Sequence, residues 1–345
     1  MVMLDIIMTH WREDWTIGEP FFRMLDMQLG VRESDVRVIL VQDGEEGRKD
    51  SLELMHTRPW YPWIDVVANS DGYGVSAARN TGLKLATAPW VMFCDFDDQF
   101  SSVYALRAIL ETIGRAKEDD YVLWSEFWEE LCLPDGRYER RLVQYNQIFN
   151  HGKIYRRSFL LERDIWFDEE VSYSEDSLFN STIDLFLNGQ HMIKIPEVFY
   201  VWRWNAGSVT NSPERTEKHR EDLWKRNVKM TALYYKYGVR RSAAASAVRL
   251  ICYSFYEDNS EKPLPGDRNV WRRRYWEFYR EWKGSFRLLE RDELIKVMDA
   301  ALYDARKKRY LTVEKISLPQ WLDGLEKEFG EMMGHDPAFG AEPDG

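Results

Sequence analysis

Residues 74–98, GVSAARNTGLKLATAPWVMFCDFDD, constrain the fold of this chain more than any other stretch. Gly72 and Gly74 suit a sharp loop. A helix is expected over 76–86, a turn follows at Pro89, and 90–94 is an unbroken apolar strand of the kind covered on both faces. That strand then delivers Asp95, Asp97 and Asp98 in close succession. Carboxylates so crowded cost free energy unless positive charge stands among them. A divalent cation that also carries a diphosphate meets that need.

The neighbouring segments extend the pattern. Residues 4–9 and 36–41 are apolar, β-branched runs, and between them 19–29 has a helical rhythm through Phe22, Met24, Leu25 and Leu29 that ends at Gly30. A third strand is expected over 64–68. Alternating strands and helices imply a mostly parallel, doubly covered, Rossmann-like sheet, in which ligands bind beyond the carboxyl ends of the strands. Asp43 ends the second strand and Asp95 the fourth, so two acidic tips fall on one rim. Further on, helices are expected over 102–116, 157–163 and 177–187, strands over 121–128 and 194–202, and a hairpin turn at 133–138. Helices over 216–237, 239–256, 270–282, 292–303 and 318–329 make a separate C-terminal region, with a linker at 259–267. The domain reading is 1–212, a helical region 213–332, and a disordered tail 333–345.

The chain of 345 residues is 44% hydrophobic, enough for one large core or two domains. No apolar run approaches the roughly 18 residues of a membrane span. The first residues lack the basic leader of a secretory signal. Cys94, Cys132 and Cys252 form no metal-ligand spacing, which suits a reduced, cytoplasmic protein, with the inner face of a membrane as an alternative station. A net charge of −11 weighs against DNA as a partner. The 15 Trp, 18 Tyr and 17 Phe could stack on sugar faces, although core packing accounts for most aromatic side chains.

The candidate site follows from these placements. Alternate residues of an extended strand face the same way, so Asp95 and Asp97 are expected to point together. Asp97 is the first choice as direct ligand of Mg²⁺ or Mn²⁺, with Asp95 sharing the metal or serving ribose hydroxyls. Asp43 either accepts from a base or ribose or simply forms an Asp-Gly turn. Arg79, beside Asn80, either holds the donor or ties its helix to the sheet rim. Glu175 and Asp176 open a helix, where Asp176 is either a cap or a general base. The helix dipole lowers the pKa of such a carboxylate and the neighbouring Glu175 raises it. His151, Lys153, Arg156, Arg157 and Arg203 are basic groups near these segments, and Lys153 and Arg203 are assigned to the donor diphosphate. Residues 205–208 form a loop able to close on a nucleotide. Arg272, Arg273 and Arg274 make either a lipid- or anion-facing patch or a solvated helix face.

Taken in order, VQDG at Asp43, the 74–98 block, HGKIYRRSFL, FDEEVSYSEDSLFN and VWRWNAGSVT resemble the family 2 glycosyltransferases over about residues 4–212. The resemblance implies a GT-A fold and transfer of a sugar, with inversion, from a nucleotide donor. A UDP-sugar is the first choice of donor, and a glycan or lipid-linked glycan is the acceptor. The resemblance also implies that Asp43 contacts the base, that Arg79 lies near the nucleotide, that Asp95 and Asp97 form the DxD-type nucleotide and metal site, and that Asp176 is the general base. The sequence departs from the common pattern at MTHWRED after the first strand and at Glu45-Glu46 after Asp43-Gly44, both near the expected base pocket. Peripheral membrane contact and a homodimer are further expectations. The alternatives are a nucleotidyltransferase, a non-catalytic module on a transferase-like scaffold, and an enzyme glycosylating modified DNA bases.

Overall fold

β1 (Leu4–His10), β2 (Val36–Gln42), β3 (Ile64–Ala68) and β4 (Trp90–Asp95) are parallel neighbours, with β1 between β2 and β4. The computed structural model describes residues 2–44, 64–69, 72–145, 148–187, 189–208, 217–259, 264–286, 289–307, 317, 320 and 324. The expected helix at 318–329 and tail at 333–345 lie outside these residues, apart from Gln320 and Gly324.

The chain divides into two units, Met1–Pro213 and Glu214–Gly345. In the first, β6 (Val122–Trp124), β9 (Lys153–Arg156) and β10 (Met192–Lys194) complete a seven-stranded sheet in the order β10-β6-β9-β4-β1-β2-β3. Only β9 runs antiparallel to its neighbours. The even-numbered side chains of β1 and β2, among them Ile6, Met8, Val38 and Leu40, pack under α1 (Trp15–Asp26) and α3 (Ala105–Ile113). Ile7, Ile39 and Val41 share a core with α2 (Val75–Leu85), α4 (Arg157–Glu162) and α5 (Glu175–Leu187) on the other side. This two-sided burial is why the strands are continuously apolar. α2 lies close on the sheet because Gly82 has no side chain: a Cβ there would sit 2.3 Å from Ile7 Cγ2.

A second, four-stranded sheet has the order β5-β11-β7-β8, formed by β5 (Gln99–Phe100), β7 (Phe127–Cys132), β8 (Tyr138–Val143) and β11 (Tyr200–Trp202). The sequence reading expected single strands over 121–128 and 194–202. Each is instead two strands in different sheets. The first breaks after Trp124: Ser125 N–H still reaches the Gly152 carbonyl at 2.8 Å, but Gly152, with φ of 71°, takes the facing chain out of strand conformation. The second breaks at Pro196, which has no N–H to offer. α1 begins four residues before the expected start because the Asp14 side chain caps it, accepting from Thr16 N–H at 2.9 Å.

The second unit holds α6 (Glu217–Lys236), α7 (Arg240–Asn259), α8 (Arg268–Phe286) and α9 (Arg291–Lys307). Its aromatic side chains are largely core: Trp271, Tyr275 and Phe278 are buried with Ile251 and Phe255. The Arg220 guanidinium stacks over Trp271 at 4.1 Å and donates to Tyr275 Oη. Arg274, one of the three successive arginines, pairs with Glu221. No described helix is long and apolar enough to cross a membrane.

At the rim opposite the acidic tips, Asp5 is fully buried. It accepts from Arg37 Nε and Nη2 at 2.8 and 2.9 Å and from the Thr87 and Ala88 N–H groups at 2.6 and 2.8 Å. Removing one partner of a buried ion pair strands the other. Asp5→Ala is therefore expected to lower stability by about 3 kcal/mol or more, read from urea unfolding; a loss near zero would contradict this clamp.

Candidate active site

The parallel register brings the acidic tips to one rim: Gln42, just before Asp43, lies level with His10, and Asp95 with Thr9. The buried Asp43 is held from two sides. Its Oδ1 accepts from Asn69 Nδ2 at 2.9 Å and its Oδ2 from the Gly74 N–H at 2.8 Å. Gly74 has φ of 97°, which glycine adopts without strain. Asp43 thus fixes the loop that opens α2 as well as standing on the rim.

One turn into α2, Arg79 is buried and bridges two elements. Its Nη2 donates to Asp95 Oδ1 at 2.7 Å and its Nη1 to Glu175 Oε1 at 2.6 Å. Burial works against this guanidinium, but the charges of Asp95, Glu175 and Asp176 raise its pKa above the ordinary value. Burial likewise pushes the Asp95 carboxyl up, and Arg79 and His151 more than offset it, holding Asp95 well below the usual carboxylate range. Of the two roles foreseen for Arg79, these bonds are those of a tie between helix and rim. Asn80 reinforces it, donating to the Phe167 carbonyl and accepting from the Phe167 N–H, both at 2.9 Å.

β4 ends at Asp95, and the Asp98 N–H turns back to the Asp95 carbonyl at 3.2 Å. Strand alternation therefore stops before Asp97. Asp97 Oδ2 accepts from Asn205 Nδ2 at 2.9 Å, whereas Asp98 is fully buried, accepting from Tyr200 Oη and from the Arg203 N–H at 2.9 Å. Among the described residues, the side chains whose ligand atoms converge within 4.8 Å are Asp95, Asp98 and His151. Asp97, the expected principal ligand, lies outside that cluster. His151 Nε2 stands 3.5 Å from Asp95 Oδ2 and 3.7 Å from Asp98 Oδ2, too far for hydrogen bonds. The ring is stacked between Phe149 and Tyr200, and its buried Nδ1 has no hydrogen-bond partner. Burial and then the charges of Asp97 and Asp95 push Asp98 up well above its ordinary value; burial and Asp95 also raise Asp97. Two carboxylates and an imidazole, with their negative charge incompletely balanced, form a donor set that fits a divalent cation.

Asp176 lies in the first turn of α5, inside the helix rather than at its cap. Its Oδ1 accepts from the Ser177 N–H at 2.7 Å. Burial and then the neighbouring Glu175 charge raise its carboxyl to about 8, against the pull of Arg79. Ser174, immediately before the helix, has φ of 66°, a left-handed conformation that costs a non-glycine residue about 1 kcal/mol or more. Arg203 Nη1 donates to the Ile17 and Asp97 carbonyls at 2.9 and 3.1 Å, so it secures the loop around Asp97. Lys153 is buried, its ammonium donating to the Phe149 carbonyl at 2.7 Å and to Asn180 Oδ1 at 2.9 Å, while Asn180 Nδ2 donates to the Asp176 carbonyl at 2.8 Å. Lys153 therefore supports the helix carrying Asp176. From sequence, Asp98 counts only among the crowded carboxylates and no ligand role falls to His151; the HGK segment was the available signal for the imidazole.

Residues 6–169 match the family model described as Glycosyl transferase family 2. The uncharacterized glycosyltransferase EpsJ of Bacillus subtilis (strain 168) is 26% identical over 258 residues, covering 68% of this chain and 72% of EpsJ. TarP of Staphylococcus aureus (strain N315), a poly(ribitol-phosphate) beta-N-acetylglucosaminyltransferase, is 23% identical over 199 residues, 53% of this chain and 59% of TarP. Residues 1–349 of S. aureus TarS have a similar fold, with a TM-score of 0.52, 17% identity and 70% of each chain covered. Residues 6–169, which hold both acidic strand tips, are thus similar to glycosyl transferase family 2.

Proposed function

We propose that the protein is an inverting glycosyltransferase in which Asp176 is the general base and the Asp95–Asp98–His151 cluster holds a divalent cation beside the donor diphosphate. The observation that carries this reading is the Arg79 bridge, which ties the strand tip at Asp95 to the helix start at Glu175 and Asp176. Donor and base would thereby be held on one rigid frame, as a single in-line displacement requires. Glu175 is engaged by Arg79, which leaves Asp176 to receive the proton of an acceptor hydroxyl. Asp43 would hold the base or ribose at the tip of β2. Asp97 and Asn205 would line the rim next to the leaving group, with Arg203 fixing that loop. When bound, the cation would supply positive charge against the departing diphosphate. The imidazole in the donor set favours Mn²⁺ over Mg²⁺. The donor proposed is a UDP-sugar. The activity of TarP, transfer of N-acetylglucosamine to poly(ribitol phosphate), supports a polymer or other glycan as acceptor.

Asp176→Asn is expected to retain UDP binding in titration calorimetry while Mn²⁺-dependent release of UDP from UDP-sugars falls by about a thousandfold; unchanged turnover would remove Asp176 as base. Only the ionised carboxylate accepts a proton. With its pKa at about 8, kcat/KM for the wild type should rise about tenfold per pH unit on the acid side and level off above pH ~8. A profile flat from pH 6 to 9 would contradict the assignment.

His151→Ala and Asp98→Asn are each expected to weaken Mn²⁺ binding by about tenfold or more, followed by electron paramagnetic resonance of free Mn²⁺. Asp97→Asn should weaken it less. The reverse order would return the principal ligand role to Asp97.

A further inference from the structure

β8 is the edge of the four-stranded sheet, and among the described residues no strand pairs with its outer side. Edge strands are usually short, bent or covered. β8 runs for six residues, and Tyr138 and Leu142 are 59% and 40% exposed. The hairpin with β7 determines which backbone groups this edge presents. The Leu133 N–H donates to the Arg137 carbonyl at 2.8 Å, and the register runs from Cys132↔Tyr138 to Phe127↔Val143. Hydrogen-bonded and non-bonded positions alternate along an antiparallel pair. The peptide groups of Glu139 and Arg141 therefore turn inward to β7, and those of Tyr138, Arg140 and Leu142 turn outward.

Those outward groups fix how a second copy can add. A two-fold axis perpendicular to the sheet keeps each side chain on its own face and passes between one residue and its own copy. Centring on Arg140 pairs all three outward residues, Tyr138 with Leu142 and Arg140 with Arg140, whereas centring on Glu139 or Arg141 pairs only two of them within the strand. We propose that two copies of this chain associate by antiparallel β8–β8 pairing centred on Arg140, which joins their four-stranded sheets into one.

The charge pattern of β8 supports that register. Glu139 lies across the hairpin from Leu131 and makes no ion pair among the described residues, while Arg141 donates to Glu129 at 3.0 Å. Centring on Arg140 places Glu139 opposite the partner's Arg141, and symmetry repeats the pair. Each Glu129–Arg141 pair is thus extended into an alternating ladder. On the other face, Tyr138 meets the partner's Leu142. Arg140 meets the partner's Arg140, each held 3.5 Å from its own Glu130. Charges that discourage indiscriminate edge pairing here select one register.

Sedimentation equilibrium of the full chain tests this. The wild type should give a concentration-dependent monomer–dimer mass. Glu139→Arg alone and Arg141→Glu alone each oppose like charges and should weaken association by on the order of tenfold. An equimolar mixture of the two restores both pairs and should dimerise like the wild type. Arg140→Pro removes an outward N–H without touching the hairpin ladder and should give monomers with an unchanged circular dichroism spectrum. Hydrogen exchange should show protected N–H groups at Tyr138, Arg140 and Leu142 in the wild type only. A wild-type mass of one chain at all concentrations, or a dimer that survives all three single substitutions, would overturn the proposal.

Discussion

A single buried guanidinium organises the acidic rim. Arg79 lies between Asp95 and Glu175 and faces the charge of Asp176 as well, so one cation serves carboxylates from a strand tip and a helix start. Its planar guanidinium holds each with a short bond from a separate terminal nitrogen, which a compact lysine ammonium could not do in the same geometry. Burial makes the arrangement demanding: take away the cation and three acids share a half-dry site; take away the acids and a charge is stranded in the core. The fold supports this arrangement with backbone contacts. Asn80 fastens α2 to the segment before α5, and Asp43 fastens the loop before α2 to the sheet.

The same electrostatics separate the roles of the acids. Asp95 is kept ionised by Arg79 and His151, whereas Asp98 and Asp176 are pushed toward protonation by burial and by their neighbours. Groups with displaced titrations gather where chemistry needs them. At Asp98 the excess negative charge favours a cation. At Asp176, next to the Glu175 that the same guanidinium holds, it favours a base that works near neutral pH.

The sheet and its rim were legible in the sequence because they are local: β1 to β4 are apolar runs, β2 and β4 lead into acidic tips, and the helix at 76–86 lies within a residue of α2. The C-terminal helices also emerged, since 216–237 and α6 carry one continuous pattern. The second sheet did not, because β5 has two residues and β11 three, too few to show a period. The part played by Asp98 was hidden for a different reason. Its partners Tyr200 and Arg203 lie about a hundred positions away, and only the folded chain makes a turn aspartate a buried one. Lys153 misled in the opposite sense: a lysine in a basic segment suggests a phosphate, yet its ammonium faces Asn180 and a carbonyl.

The most direct test of this account is a double-mutant cycle on Arg79 and Glu175, with Arg79→Leu, Glu175→Gln and the pair compared by urea unfolding of the full chain. A shared buried bridge predicts a coupling energy of about 2 kcal/mol, so that the second substitution costs much less once the first is made. Additive losses, with a coupling near zero, would mean that the strand tip and the helix start stand independently and that the frame proposed for donor and base does not exist.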